Sequence, residues 1–375
     1  GVARVIELAR ALNAGLVHVS TCFVCGEADG LVEESEQILG FYPRRRHSLD
    51  GALHHERELR YMGERIREAY AAEGIQPGQR RTRMLTRRLI DLGWQRAAQW
   101  GWMNTYTYSK SLGEQLIAAQ PDLPYTIVRP AIVEAALEFP FPGWVEGGRT
   151  AAPLVRMAMA GLRHWTVRED APMEVIPVDL VASGMLIAAV MLLNGRARKV
   201  YHLSTAYENP IYYGPLIRIL YKTYRRRQNG WRRWLRLPGA GVRVLTPEQA
   251  QQRGHRQQRL LEGAQEVTAK LRRWMQRLGI PGEDWVRRLN SSLRSASLRA
   301  MIRDQALQLY QPFMCDNRFI FEAENIRLAY RALSDRDRQR LPWTPEKIDW
   351  EAYWVNNEIP GVERWVAGQA SALSD

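Results

Sequence analysis

Leu16-Val-His-Val-Ser-Thr-Cys-Phe-Val-Cys-Gly26 is the stretch from which the fold is read. Rich in Val and Phe and closed by a glycine, it predicts a buried strand over Leu16–Val24. Upstream, Val5, Ile6, Leu8, Ala9 and Leu12 recur at helical spacing, so a helix over Val2–Leu12 precedes the strand. Downstream the same alternation continues. A helix over Thr107–Ala119 leads to a strand over Tyr125–Arg129 stopped by Pro130, and a short strand follows at Glu174–Ile176. The apolar helix Val181–Leu193 then feeds the strand Lys199–Leu203. Parallel strands need crossover helices, so this order predicts a doubly wound parallel α/β sheet. The segment 42–100 is different in kind. It is crowded with Arg and Glu, helical over Glu56–Ala72 and broken at Pro77-Gly78, and it reads as a surface insertion. Strand signals stop beyond about Tyr207. Thr246-Pro247-Glu248 is a helix start, with a capping residue before Pro, and the pattern stays helical to Gly279. The expected organisation is a sheet domain over 1–205 and a mostly helical domain over 206–375.

Composition narrows the class. A chain of 375 residues, 46% hydrophobic and 25% charged, has the means for a packed core and two lobes. It holds no run of 18 apolar residues, the length of a membrane-spanning helix, and nothing at its start reads as a signal peptide. The chain opens on Gly1 inside a helical pattern, which predicts a piece of something longer. The net charge of +13 invites a nucleic-acid reading. Yet only five basic residues are Lys, and a skew toward Arg is what coding bias produces, so nucleic acid is not expected as a partner. Three cysteines cannot build a disulfide framework, which makes a reducing cytoplasm the default. Cys22 and Cys25 form a C-x-x-C without a second pair. They are expected to be buried strand residues rather than metal ligands.

Chemistry is concentrated in Tyr106-Thr-Tyr-Ser-Lys110. Spacing of four sets Tyr106 and Lys110 on one helical face. An ammonium near a phenol favours the phenolate and makes the hydroxyl a better acid, suited to a developing alkoxide. Chance predicts roughly 0.2 such pairs in a chain of this composition. Ser20 and Thr21 end a strand at the carboxyl edge of the sheet, where open α/β folds bind ligands. Thr21 would there meet the reacting oxygen beside Tyr106.

A strand-end hydroxyl followed by Tyr-x-x-x-Lys resembles the triad of short-chain dehydrogenases, and so a Rossmann-type sheet. A closer resemblance is to the fatty acyl-CoA reductases, or male-sterility proteins. It is carried by Val17-His-Val-Ser-Thr21, Tyr106-Thr-Tyr-Ser-Lys-Ser-Leu-Gly-Glu-Gln115 and Ile127-Val-Arg-Pro-Ala-Ile-Val133. Glu138-Phe-Pro-Phe-Pro-Gly-Trp144, Ile176-Pro-Val-Asp-Leu-Val181 and the tail motifs Gln311-Pro-Phe313, Phe319-Ile-Phe321 and Ile348-Asp-Trp-Glu-Ala-Tyr353 extend it. The resemblance implies Tyr106 as general acid, Lys110 tuning it and holding the nicotinamide ribose, and Thr21 as third member, ahead of Ser20. It implies that the backbone of Pro130, Ala131, Ile132 and Val133 lies along the nicotinamide of NADPH. The implied reaction reduces a long-chain acyl-CoA or acyl carrier protein thioester to a fatty alcohol through an aldehyde. An aldehyde-releasing reductase and a non-catalytic lipid- or partner-binding remnant are the alternatives. Asp179 opens an apolar helix and is expected to be its N-cap, contact with the active-site edge being the alternative.

The family's Gly-x-x-Gly-x-x-Gly loop, whose backbone cradles the pyrophosphate, is absent from the 375 residues. In the family it lies upstream, so residues 1–375 by themselves are expected to bind NADPH poorly. Arg225, Arg226 and Arg227 belong to a basic-aromatic run from Tyr221 to Leu237. A solvated arginine face is one reading of it. The others are a landing site for the phosphates of CoA or for acyl carrier protein, and peripheral contact with a membrane.

Overall fold

The computed structural model describes residues 1–35, 37–46, 53–147, 150–228, 241–278 and 283–367. Helix α1 (Val2–Ala11) leads into β1 (Leu16–Val19), and β2 (Asp29–Val32) precedes two long helices, α2 (His55–Ala72) and α3 (Arg83–Trp100). Then come α4 (Thr105–Ala118), β3 (Tyr125–Pro130), β4 (Ile132–Glu134), α5 (Ala152–Met159) and β5 (His164–Trp165). They are followed by β6 (Val175–Pro177), α6 (Val178–Leu193), β7 (Val200–Leu203) and α7 (Tyr213–Arg227). After β8 (Arg243–Val244) run α8 (Pro247–Leu278) and α9 (Glu283–Gln311). The tail holds β9 (Arg318–Phe321), α10 (Glu324–Arg331) and α11 (Asp335–Arg340), with shorter turns to residue 367.

The central sheet has the order β1-β3-β7 and is parallel, pairing Leu16 with Tyr125 and Ile127 with Val200. Alternate residues of a strand face opposite sides. Leu16 packs with Ile6, Ala9 and Ile117 of α1 and α4, and Ile127 with Val200 and Ala118. On the other side Gly184 of α6 lies so close to Leu203 that an added Cβ would sit 2.6 Å from its side chain. Helices on both faces of a parallel sheet are the doubly wound arrangement expected. Two further parallel pairs, β4–β6 and β2–β9, complete this body.

Three expectations need correction. The strand predicted over Leu16–Val24 ends at Val19, and Cys22–Cys25 form a buried 3-10 turn capped by Thr21, so neither cysteine is a strand residue. Strands do not stop at Tyr207, because β9 returns to pair with β2. The compact units also do not divide at 205. The described residues within 1–150, 172–211 and 318–367 form one, and those within 151–171 and 212–317 the other. The physical reason lies in β9, whose Phe319 and Phe321 pack edge-on against Phe23 at 5.2 Å.

The segment 42–100 is tied down. Tyr42, Leu53 and Ala97 share a core with Trp102, Tyr108 and Leu112. Glu58 of α2, buried, takes hydrogen bonds from Arg96 Nε at 2.6 Å and Trp100 Nε1 at 3.1 Å of α3.

Candidate active site

The site begins where β1 runs out. Ser20 N still donates to Val128 O at 2.8 Å, and the next residue, Thr21, turns away in extended conformation to cap the 3-10 turn. Its hydroxyl donates to Pro130 O at 3.4 Å, at the end of β3. Across from it α4 starts at an Asn104 cap, whose Oδ1 accepts Thr107 N at 2.9 Å. That cap sets Tyr106 in the first turn, over the carboxyl edge of the sheet. The Tyr106 hydroxyl lies beside the Thr21 hydroxyl, near enough for Thr21 to favour the phenolate. One helical turn on, Lys110 Nζ donates to Val19 O at 2.9 Å and stands 5.9 Å from the centre of the Tyr106 ring.

Tyr106 stays 54% exposed while Thr21 is buried, so the phenol is open on one side and anchored on the other. Partial burial raises the phenol above its ordinary value, and the Thr21 hydroxyl only partly offsets this. The sequence predicts a phenol lowered by its lysine. In the structure the ammonium is engaged by the Val19 carbonyl instead, which keeps it beside the ring without bonding the hydroxyl. Ser20 Oγ, buried at the same edge, has no hydrogen-bond partner among the described residues.

Pro130 to Val133 mark a change of partner. Ala131 N donates to Leu203 O of β7 at 2.9 Å, and Ile132 N to Glu174 O just before β6, also at 2.9 Å. The strand therefore jogs at Ala131, next to the Thr21–Pro130 contact. Asp179 is not an N-cap: that position is Pro177. Its carboxylate instead accepts Leu137 N at 3.0 Å, Glu138 N at 2.8 Å and Phe139 N at 3.1 Å. It holds the loop beyond β4. Asn357 Nδ2 secures the same loop through Ala136 O at 3.0 Å and Leu137 O at 2.7 Å. Gly143 and Gly361 meet there with no room for a side chain, since a Cβ on Gly361 would lie 2.2 Å from Gly143 O. Sequence reasoning missed Asn104, although an Asn just before a helix is a cap signal legible locally, and Asn357, whose partners more than 200 positions away only the fold shows.

Residues 1–185 match the NAD-binding model of the male sterility protein family. The likeness to this family covers 185 of the 375 residues. The chain is similar to "Probable fatty acyl-CoA reductase 5" of Arabidopsis thaliana, at 34% identity over 57% of the chain and 43% of that protein. With fatty acyl-CoA reductase 8 of the same plant the identity is 26% over 92% of this chain and 67% of the relative. With the alcohol-forming fatty acyl-CoA reductase of Simmondsia chinensis it is 34% over 52% and 38%. The chain thus spans from under half to about two thirds of the length of these relatives.

A male-sterility domain implies a nicotinamide cofactor, and the residues present fit one end of it. A phenol, an ammonium and two strand-end hydroxyls, one of them the unpartnered Ser20 Oγ, gathered at a sheet edge are a donor set for ribose hydroxyls and a reacting carbonyl. The pyrophosphate end has no counterpart in the sequence, which holds no Gly-x-x-Gly-x-x-Gly loop. Among the described residues no group of three His, Cys, Asp or Glu is placed to hold a metal ion. Arg225, Arg226 and Arg227 sit in the last turn of α7, where cations complement the helix dipole. The residues from Trp231 to Leu237 lie outside the described ones.

Proposed function

We propose that this chain carries the proton-transfer residues of an NADPH-dependent reductase that takes a long-chain acyl thioester, on CoA or acyl carrier protein, through the aldehyde to the alcohol. The observation that supports it is the gathering of Tyr106, the buried Thr21 hydroxyl and Lys110, whose Nζ bonds Val19 O 5.9 Å from the Tyr106 ring centre, at the carboxyl edge of a parallel sheet. The cofactor would supply the hydride. Tyr106 then protonates the oxygen on which charge develops, and Thr21 holds that phenol and shares the oxygen. Lys110, steadied by Val19 O, supplies positive charge beside the phenolate and an N–H for the ribose. The backbone of Pro130, Ala131, Ile132 and Val133 forms the wall along the nicotinamide. Arg225, Arg226 and Arg227 meet the phosphates of CoA or an acidic carrier.

The test is NADPH oxidation by the full-length protein with palmitoyl-CoA. Tyr106→Phe is expected to lower turnover by roughly 10²-fold, the usual worth of a general acid. Replacing the three arginines by Gln is expected to raise KM more at low salt than at high, because exposed charges are screened. A Tyr106→Phe protein that keeps most of its turnover removes the phenol from this role.

A further inference from the structure

Outside the sheet body, α8 and α9 pack along each other as a hairpin, so close at Gly254 of α8 that an added Cβ would sit 3.4 Å from the Asp304 carboxylate of α9. At 1.5 Å per residue, α8 alone is about 48 Å long. Thr268 of α8 and Val286 of α9 are buried. Beside that packed seam α8 carries a second apolar line. Leu260, Val267 and Trp274 recur every seven residues and are 74%, 64% and 55% exposed. On α9 Trp285 and Leu289 are exposed as well. Successive residues turn by about 100°, and α9 runs opposite to α8, so Trp285 and Leu289 come to the same side as the α8 line. Exposed Arg256, Arg259 and Lys270 border that line. By sequence the two helices carry seven and five Lys or Arg, against three acidic residues each.

We propose that this side of the hairpin lies on the surface of an anionic lipid bilayer. An apolar stripe with tryptophans sinks into the interfacial layer, and flanking basic side chains reach the lipid phosphates. Anionic lipid adds attraction for each cation near the surface. A second copy of the hairpin is a poor occupant, since two faces of like charge repel. Nucleic acid would leave the tryptophan line without a partner. No helix among the described residues is long and apolar enough to cross a membrane, so the contact is with one surface. The inference is independent of the reductase reading.

Sedimentation with vesicles tests it. The protein is expected to pellet with phosphatidylcholine vesicles containing phosphatidylserine, and less as salt is raised. Trp274→Gln with Trp285→Gln is expected to lower partitioning by about tenfold, with an unchanged thermal melt because both side chains are exposed. Arg256→Gln with Lys270→Gln is expected to weaken binding to the anionic vesicles selectively. Wild-type protein left in the supernatant, or tryptophan variants that partition like wild type, would overturn the proposal. So would a wild-type dimer that those variants convert to monomer, since the face would then belong to self-association.

Discussion

Tyr106 and Tyr108 both lie in the opening turns of α4, yet they point to different surroundings. Tyr106 is half open and lies beside the Thr21 hydroxyl. Tyr108 is buried, with its hydroxyl on the Glu58 carboxylate that also takes Arg96 and Trp100. Burial, and then the Glu58 bond, push the Tyr108 phenol well above its ordinary value, so it stays a hydrogen-bond donor at any working pH. Replacing each by Phe separates the two roles. Tyr108→Phe removes a bond to a charged acceptor and is expected to cost about 1.5–3 kcal/mol of stability. Tyr106→Phe is expected to stay within about 0.5 kcal/mol of wild type. Urea unfolding midpoints measure both, and the reverse order would mean that the structural and chemical tyrosines have been exchanged. The Tyr106–Lys110 pair was legible because four residues are one helical turn. The Glu58 partner of Tyr108 was not, because it stands 50 positions away in a segment that reads as surface.

Elements with a strong period were legible nearly to their ends. Thr246-Pro247 does open α8, with Thr246 Oγ1 accepting Gln249 N at 3.3 Å, and the apolar run of β7 is a strand buried throughout. Short elements were not. In β9 four residues find their partner in β2, nearly 300 positions earlier, and no local pattern announces that pairing. The block Glu138-Phe-Pro-Phe-Pro-Gly-Trp144 stood out by resemblance, but its physical basis appears only when Asp179, Asn357 and Gly361 are seen to close around it. Asp179→Ala takes away the acceptor of three backbone N–H groups. Two of them, on exposed Glu138 and Phe139, regain water, so the expected loss is about 1–3 kcal/mol, chiefly from Leu137. The loop itself should loosen more than the sheet. Limited proteolysis is expected to cut the variant between residues 137 and 144 before any other site. Cleavage starting elsewhere at wild-type rates would show that Asp179 is not what holds this loop.

Across the whole molecule, buried ionisable groups tie distant segments together and should make stability depend on pH. Glu174, just before β6, accepts Ser204 Oγ at 2.6 Å and Phe321 N of β9 at 2.7 Å, and burial pushes its carboxyl up to about 7. Glu34 accepts His202 N and Asn325 N, both at 2.7 Å, and burial pushes it up to about 8. His202 goes the other way, held down at about 3 by burial and then by Arg129. In the unfolded chain both carboxyls titrate near 4.5. Between that pH and their folded values the native state holds protons that the unfolded state has released, so stability falls as pH rises. The imidazole has the opposite effect, costing stability as pH drops from 6.5 toward 3. Above pH 6.5 the imidazole no longer contributes and the raised carboxyls remain, Glu34 and Glu174 with Glu358 and Glu208, which burial also raises. The melting temperature is therefore expected to decline between pH 6.5 and 8. Glu174→Gln keeps the shape of the side chain and an oxygen for Phe321 N, but has no proton to lose. It should flatten the lower part of that decline, leaving the part due to the other raised carboxyls. Differential scanning calorimetry across this range measures the slope. A melting temperature that is level or rises toward pH 8 in the wild type would mean that these carboxyls ionise inside the fold at little cost, through solvent entry or a partner cation.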